Sequence, residues 1–165
     1  MTQITIEYMI MIPLLILQIF LFPFTASLIM NHWVDSRRTL ELQEAASSIG
    51  SSIQQLYSSL NHDTISTGYV TNSLDLPPFI EDYPYKGNAT LRTALDSTLN
   101  STKILDITLS LQGVKASSTA SVTLGPNVEW PQPNLFFVSN STNAGIAGNK
   151  TVINGNVIIQ FSFTS

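Results

Sequence analysis

From Tyr8 to Val34 the chain carries no formally charged side chain, and this run limits what the remainder can be attached to. A helix needs about 20 predominantly apolar residues to cross a bilayer, and residues 8–34 exceed that. A single carboxylate, Glu7, stands at its edge in Glu7-Tyr8-Met9-Ile10-Met11-Ile12-Pro13-Leu14-Leu15. A carboxylate at the margin of hydrocarbon is expensive and therefore invites a functional explanation. Pro13 and Pro23 interrupt the helical pattern. Each removes an i→i−4 hydrogen bond, which predicts a kink or local unwinding. Membrane helices tolerate prolines where neighbouring helices satisfy the freed carbonyls, so the pair hints at packing among helices.

The pattern does not stop where the apolar run stops. Leu42, Ala46, Ile49, Ile53, Leu56 and Leu60 recur at spacings of 4, 3, 4, 3 and 4, a heptad-like stripe. Arg37, Arg38, Glu41, Glu44 and Gln54 lie off it, and small residues flank it. Residues 1–60 therefore read as one hydrophobic-to-amphipathic region, and Ile4 to Leu60 as a single helix would be roughly 85 Å long at about 1.5 Å per residue. The stripe packs on the chain's own globular part on at least one side, and its small flanks would let other backbones approach.

Composition changes after Leu60. Ser, Thr, Asn and Gly become frequent, and after Asp106 the only charges are Lys115, Glu129 and Lys150. Four N-x-S/T sequons fall in this region, at Asn88, Asn100, Asn140 and Asn149. Together with the charge-poor surface they point to a glycosylated, extracytoplasmic domain. The nearest basic residues to the apolar run, Arg37 and Arg38, lie on its C-terminal side. The positive-inside rule would hold the following domain in the cytoplasm, against the sequons. A cleaved basic leader would reconcile the two, whereas Met1 in this numbering opposes it.

Residues 61–165 read as a β-rich head. Asn61-His62-Asp63 ends the helix, and residues 61–103 read as connecting chain with a short helix around Thr90–Leu99. Leu105, Ile107, Leu109 and Leu111 alternate with polar residues, the period of a half-buried strand. Further strands are expected over Ala116–Leu124, Leu135–Ser139 and Val157–Thr164. Asn154-Gly155 is the signal for a tight hairpin. The fold class is thus α+β: a long N-terminal hydrophobic helix followed by a small antiparallel sheet or sandwich.

With these residues in place, the chain resembles the type IV pilin superfamily. Glu7 followed by Pro13-Leu14-Leu15 is similar to the N-terminus of TadE-like pseudopilins. The whole layout is similar to archaeal type IV pilins and archaellins: acid, apolar helix, amphipathic extension, sequon-bearing β head. The resemblance implies a leader cleaved by a prepilin peptidase, and Gln3-x-x-x-Glu7 matches an archaeal spacing that would make Gln3 the first mature residue. It also implies that helices bundle at a filament core, where Glu7 meets a neighbour's N-terminal amine. A charge pair in an apolar bundle acts chiefly as a register device, because breaking it strands an uncompensated charge.

The expected function is that of a structural subunit of an extracellular type IV pilus-like filament serving adhesion. Its partners would be further copies of itself, the prepilin peptidase and assembly machinery, and the membrane before assembly. The alternative is a membrane-anchored monomeric surface glycoprotein with a β-sandwich binding head. Net charge of −4 gives no nucleic-acid footprint, and the absence of cysteine excludes disulfides and thiolate chemistry. No cofactor is expected besides N-linked glycans. Catalysis is not expected: the head's acids (Asp63, Asp75, Glu81, Asp82, Asp96, Asp106, Glu129) and His62 show no catalytic spacing. Glu81-Asp82, the one adjacent acidic pair, reads as a solvated loop charge or a weak cation contact. Tyr57, Tyr69, Tyr83, Tyr85, Trp130, Phe136 and Phe137 read as core and loop anchors, with a carbohydrate-binding set as the alternative use.

Overall fold

A computed structural model describes residues 2–94, 101–131 and 136–164, with side chains from residue 9 onward. The architecture is α+β as expected. One long N-terminal helix, α1 (Thr2–Leu60), is followed by eight strands in two four-stranded sheets. The chain divides into two compact units, Met1–Arg37 and Arg38–Ser165.

In the first unit α1 stays helical through both prolines, so of the expected kink or local unwinding the unwinding does not occur. The missing N–H groups of Pro13 and Pro23 leave the Met9 and Ile19 carbonyls without their usual i+4 donors. Near the second proline the Thr25 hydroxyl bonds to the backbone oxygens of Leu21 and Phe22, both at 3.0 Å.

The division falls inside the helix because the stripe is consumed by the head. Leu42, Ala46, Ile49, Ile53, Leu56 and Leu60 are all buried and belong to one core with the strands. A Cβ added at Gly50 would stand 2.6 Å from Val122 Cγ2, and one at Gly148 would stand 2.7 Å from Leu60 Cδ1. The helix therefore packs on both sheets. It ends with Asn61 N–H bonded to the Tyr57 carbonyl at 2.8 Å. Lys150, only 3% exposed, reaches the same end and donates from Nζ to the His62 carbonyl at 3.0 Å. A donor side chain at a helix C-terminus complements the carbonyl end of the dipole.

The first sheet has the order β1 (Gly68–Ser73), β7 (Gly145–Ile153), β8 (Asn156–Thr164), β5 (Val128–Glu129). The second has the order β4 (Ser117–Leu124), β3 (Thr102–Leu111), β2 (Tyr85–Ala94), β6 (Phe136–Val138). Pairing is antiparallel except between β5 and β8, which is parallel, so the first sheet is mixed rather than purely antiparallel. The chain changes sheet repeatedly, which ties the two layers together around Leu105, Ile107, Leu109, Ile159 and Phe161, all fully buried. The β7–β8 hairpin turns at Asn154 (φ 53°) and Gly155 (φ 81°). Two consecutive positive φ values are what the tight primed turn requires.

The expected connection over residues 61–103 instead holds β1 and β2. Thr90–Ala94 is strand rather than helix, and residues 95–99 lie outside the described residues. The inward face of β2 includes Gly87 and Ala89; at Gly87 the Phe137 ring occupies the space a larger side chain would take, since a Cβ there would stand 2.1 Å from it.

Candidate functional site

Two features carry functional content: the apolar face of α1 and the outer faces of the two sheets. Each is described within its own unit.

Every Leu, Ile, Phe, Met and Trp side chain from Met9 to Trp33 is at least half exposed. The most apolar 18-residue window has a mean hydropathy of 2.2 and none of it is buried. By length and composition the helix is sufficient to cross a membrane. An apolar surface of this extent on a lone helix requires either lipid or other protein around it. Pro13 and Pro23 lie within this stretch. Gln3 and Glu7 lie on the first turns of α1, before the described side chains.

On the head, Asn88 sits mid-strand on β2, exposed, directly opposite Thr108 of β3 and Phe136 of β6. Asn149 sits on β7, half-buried, directly opposite Tyr69 of β1 and Gln160 of β8. Asn140 is exposed in the turn after β6. Asn100 lies outside the described residues. The sequons are thus not gathered in one place: Asn88 and Asn149 belong to different sheets. Asn88 and Phe136 line a shallow groove of about 400 Å³ with Lys86, Thr108 and Ser110. Thr108 and Thr119 hydroxyls are 2.9 Å apart on the same sheet.

Several of the head's charged groups are engaged in contacts within it. Arg92 Nε donates to Asp106 at 2.6 Å, and the Ser121 hydroxyl also donates to that carboxylate. These bonds, first Arg92 and then Ser121, hold the Asp106 carboxyl below its ordinary range. Glu129 accepts from Gln160 at 3.0 Å, and His62 Nδ1 lies 2.9 Å from the Thr64 hydroxyl. Glu81 is not a solvated loop charge: it is ion-paired with Arg38. It also occupies, with Asp82, a tight turn whose two φ values are positive. Glu41, Glu44 and Asp75 border a groove of about 460 Å³, yet among the described residues no group of three potential metal ligands comes together.

The aromatic residues range from buried to exposed, with Tyr57 and Tyr83 half-buried against the core. Tyr85, Trp130 and Phe137 are buried, with Phe137 edge-on to Tyr85 and to Phe163. Tyr69 and Phe136 are exposed on outer sheet faces. Sequence reasoning placed the sequons but missed the residues across from them, because strand pairing is non-local.

No protein-family model, curated protein or solved structure matches this chain.

Proposed function

We propose that the chain is the structural subunit of an extracellular type IV pilus-like filament, inserted in the membrane before assembly and polymerising through its N-terminal helix. The observation that carries this reading is the uncovered apolar face of α1 from Met9 to Trp33, with a lone carboxylate, Glu7, at its edge. In the membrane that face meets lipid; in a filament it meets the same segment of neighbouring copies. Burying about 20 large apolar side chains at about 1.5–3 kcal/mol each relative to water makes such a polymer effectively permanent outside the bilayer. Glu7, meeting a neighbour's N-terminal amine, sets the stagger between copies, and Pro13 and Pro23 shape the bundle. The heads form the outer layer, with N-linked glycans as the only added groups, and serve adhesion. A prepilin peptidase and an assembly machinery are the implied partners, with Gln3 as the processed N-terminus. The head is a non-catalytic module.

One observation favours a second reading, a monomeric membrane-anchored surface glycoprotein: the stripe from Leu42 to Leu60 is buried in its own core. It is therefore not available as an inter-subunit seam. Cryo-EM of material sheared from the surface of the source cells, with mass spectrometry of its subunit, separates the two. Filaments of this chain with the apolar helices bundled at the centre support the first reading. A detergent-extracted monomer confined to membranes supports the second. Normal filaments from a Glu7→Ala variant would remove the register role from Glu7.

A further inference from the structure

Among the described residues of the head, three aromatic side chains are exposed: Tyr69, Phe79 and Phe136. Two of them, each on an edge strand, stand directly across from a sequon asparagine on the neighbouring inner strand. Phe136 of β6 pairs with Asn88 of β2, and Tyr69 of β1 pairs with Asn149 of β7. The arrangement occurs once on each sheet, on unrelated pairs of strands.

Directly opposed residues of an antiparallel pair share a face, with Cβ atoms about 5 Å apart. Strand periodicity supplies the rest. In Asn88-Ala89-Thr90 the Asn and Thr point outward while Ala89 is 1% exposed. In Asn149-Lys150-Thr151 the same alternation buries Lys150. Each acceptor asparagine thus emerges on the outer face beside a ring that is more than half open to solvent: Phe136 is 54% and Tyr69 66% exposed.

We propose that Phe136 and Tyr69 are stacking platforms for the first sugar of N-linked glycans carried by Asn88 and Asn149. This rests on the extracytoplasmic placement of the head given above. In the modification the side-chain amide nitrogen of Asn attacks the anomeric carbon of a lipid-phosphate-linked oligosaccharide. The C–N bond forms, the bond from that carbon to the phosphate oxygen breaks, the lipid phosphate leaves with the bonding pair, and the amide proton passes to a base of the transferase. The linked sugar then lies with its C–H face over the neighbouring ring, which covers apolar surface while its hydroxyls stay in water. On the second sheet the Asn88 groove adds Lys86, Thr108 and Ser110 as hydrogen-bonding neighbours. Asn140, in a turn outside any strand, is an internal comparison without this pairing.

Glycopeptide mass spectrometry of the full chain from its native cells gives occupancy at each site, with Asn88 and Asn149 expected to be modified. Thermal unfolding in detergent of Phe136→Ala, Asn88→Gln and their combination then reads the contact, with Tyr69→Ala and Asn149→Gln as the second set. Phe136→Ala is expected to lower Tm by about 3 °C in the glycosylated protein, and to have no resolvable effect once Asn88 is Gln. Enzymatic removal of the sugar from the unmutated chain should abolish the same increment. Additive effects in the double variants overturn the platforms even where sugar is present. Bare Asn88 and Asn149 beside an occupied Asn140 overturn them while leaving the extracytoplasmic reading intact. Bare asparagines at all three sites, with the head resistant to protease added to intact cells but cleaved after lysis, overturn both.

Discussion

Arg38 Nε donates to Glu81 Oε2 across 2.7 Å, joining residues 43 positions apart in the chain. The same guanidinium lies 5.4 Å from the centre of the Tyr83 ring. Between them Ile80 and Tyr83 exchange two backbone hydrogen bonds of 3.0 Å, closing a turn in which Glu81 (φ 47°) and Asp82 (φ 68°) are left-handed. Left-handed backbone costs about 1–2 kcal/mol for a residue with a side chain, so the turn depends on outside support. The charged hydrogen bond and the ring contact supply it from the first turn of the head's helix.

Arg38→Ala is therefore expected to destabilise the head by about 2 kcal/mol, the combined scale of a charge-assisted bond and a cation–π contact. Arg38→Lys should recover only part of this, because a lysine presents no planar fork. Urea unfolding measures both, and a loss below about 0.5 kcal/mol for Arg38→Ala would show the turn to be self-supporting.

Gly50→Ala tests how closely the helix approaches the second sheet. In an isolated helix the change stabilises by about 1 kcal/mol. Here the new methyl would meet Val122 Cγ2 at 2.6 Å, and Val is stiff at χ1. Overpacking of this kind costs about 1–3 kcal/mol, so a net loss of about 1 kcal/mol is expected. In a Val122→Ala background Gly50→Ala should become neutral or stabilising, a coupling that a double-mutant cycle resolves.

Truncation separates the two candidate domain boundaries. A fragment of residues 38–165 keeps Leu42, Ala46, Ile49, Ile53, Leu56 and Leu60 in the core and is expected to fold as a soluble unit. A fragment of residues 61–165 lacks all of them. Loss of a single buried Leu or Ile side chain costs about 2–5 kcal/mol, against a total stability of about 5–15 kcal/mol. Circular dichroism and NMR dispersion should find the shorter fragment unfolded. A folded 61–165 fragment would mean that the two sheets close without the helix.

Alkaline pH reports on Tyr85. Its ring is fully buried and its hydroxyl donates to the Pro77 carbonyl at 2.9 Å. Burial pushes its pKa up from 10.0 to about 12. The unfolded chain ionises this phenol first, so its contribution to stability is complete below about pH 10 and is lost as pH rises toward 12. The full loss is on the order of 3 kcal/mol. Tyr85→Phe should flatten the alkaline limb of a stability–pH curve; an unchanged limb would assign it to another group.

What could be read from the sequence follows from how local each signal is. β3 and β8 are legible because Leu105, Ile107, Leu109 and Ile159, Phe161, Phe163 place large apolar residues at every second position. The helical stripe is legible for the same reason. β2 is not, since its inward face relies partly on the small residues Gly87 and Ala89, and the size of Gly87 answers to Phe137, remote in the chain. Glu81-Asp82 carries no turn signal because the residue that steadies it, Arg38, is remote in the chain. The sequons are visible as tripeptides, but Phe136 and Tyr69 become their neighbours only through strand register.

The seating of Lys150 has a chemical corollary. Of the chain's lysines, Lys86, Lys103 and Lys115 are at least partly open to solvent, whereas Lys150 is shut between the end of α1 and β7 with its amine on the His62 carbonyl. An amine-directed acylating reagent reaches the first three in the native molecule and the fourth only when the helix terminus parts from the sheet. The slow acylation of Lys150 against the fast background of the others is a clock for that opening. It can be read equally on an isolated molecule, in a membrane or within an assembled array.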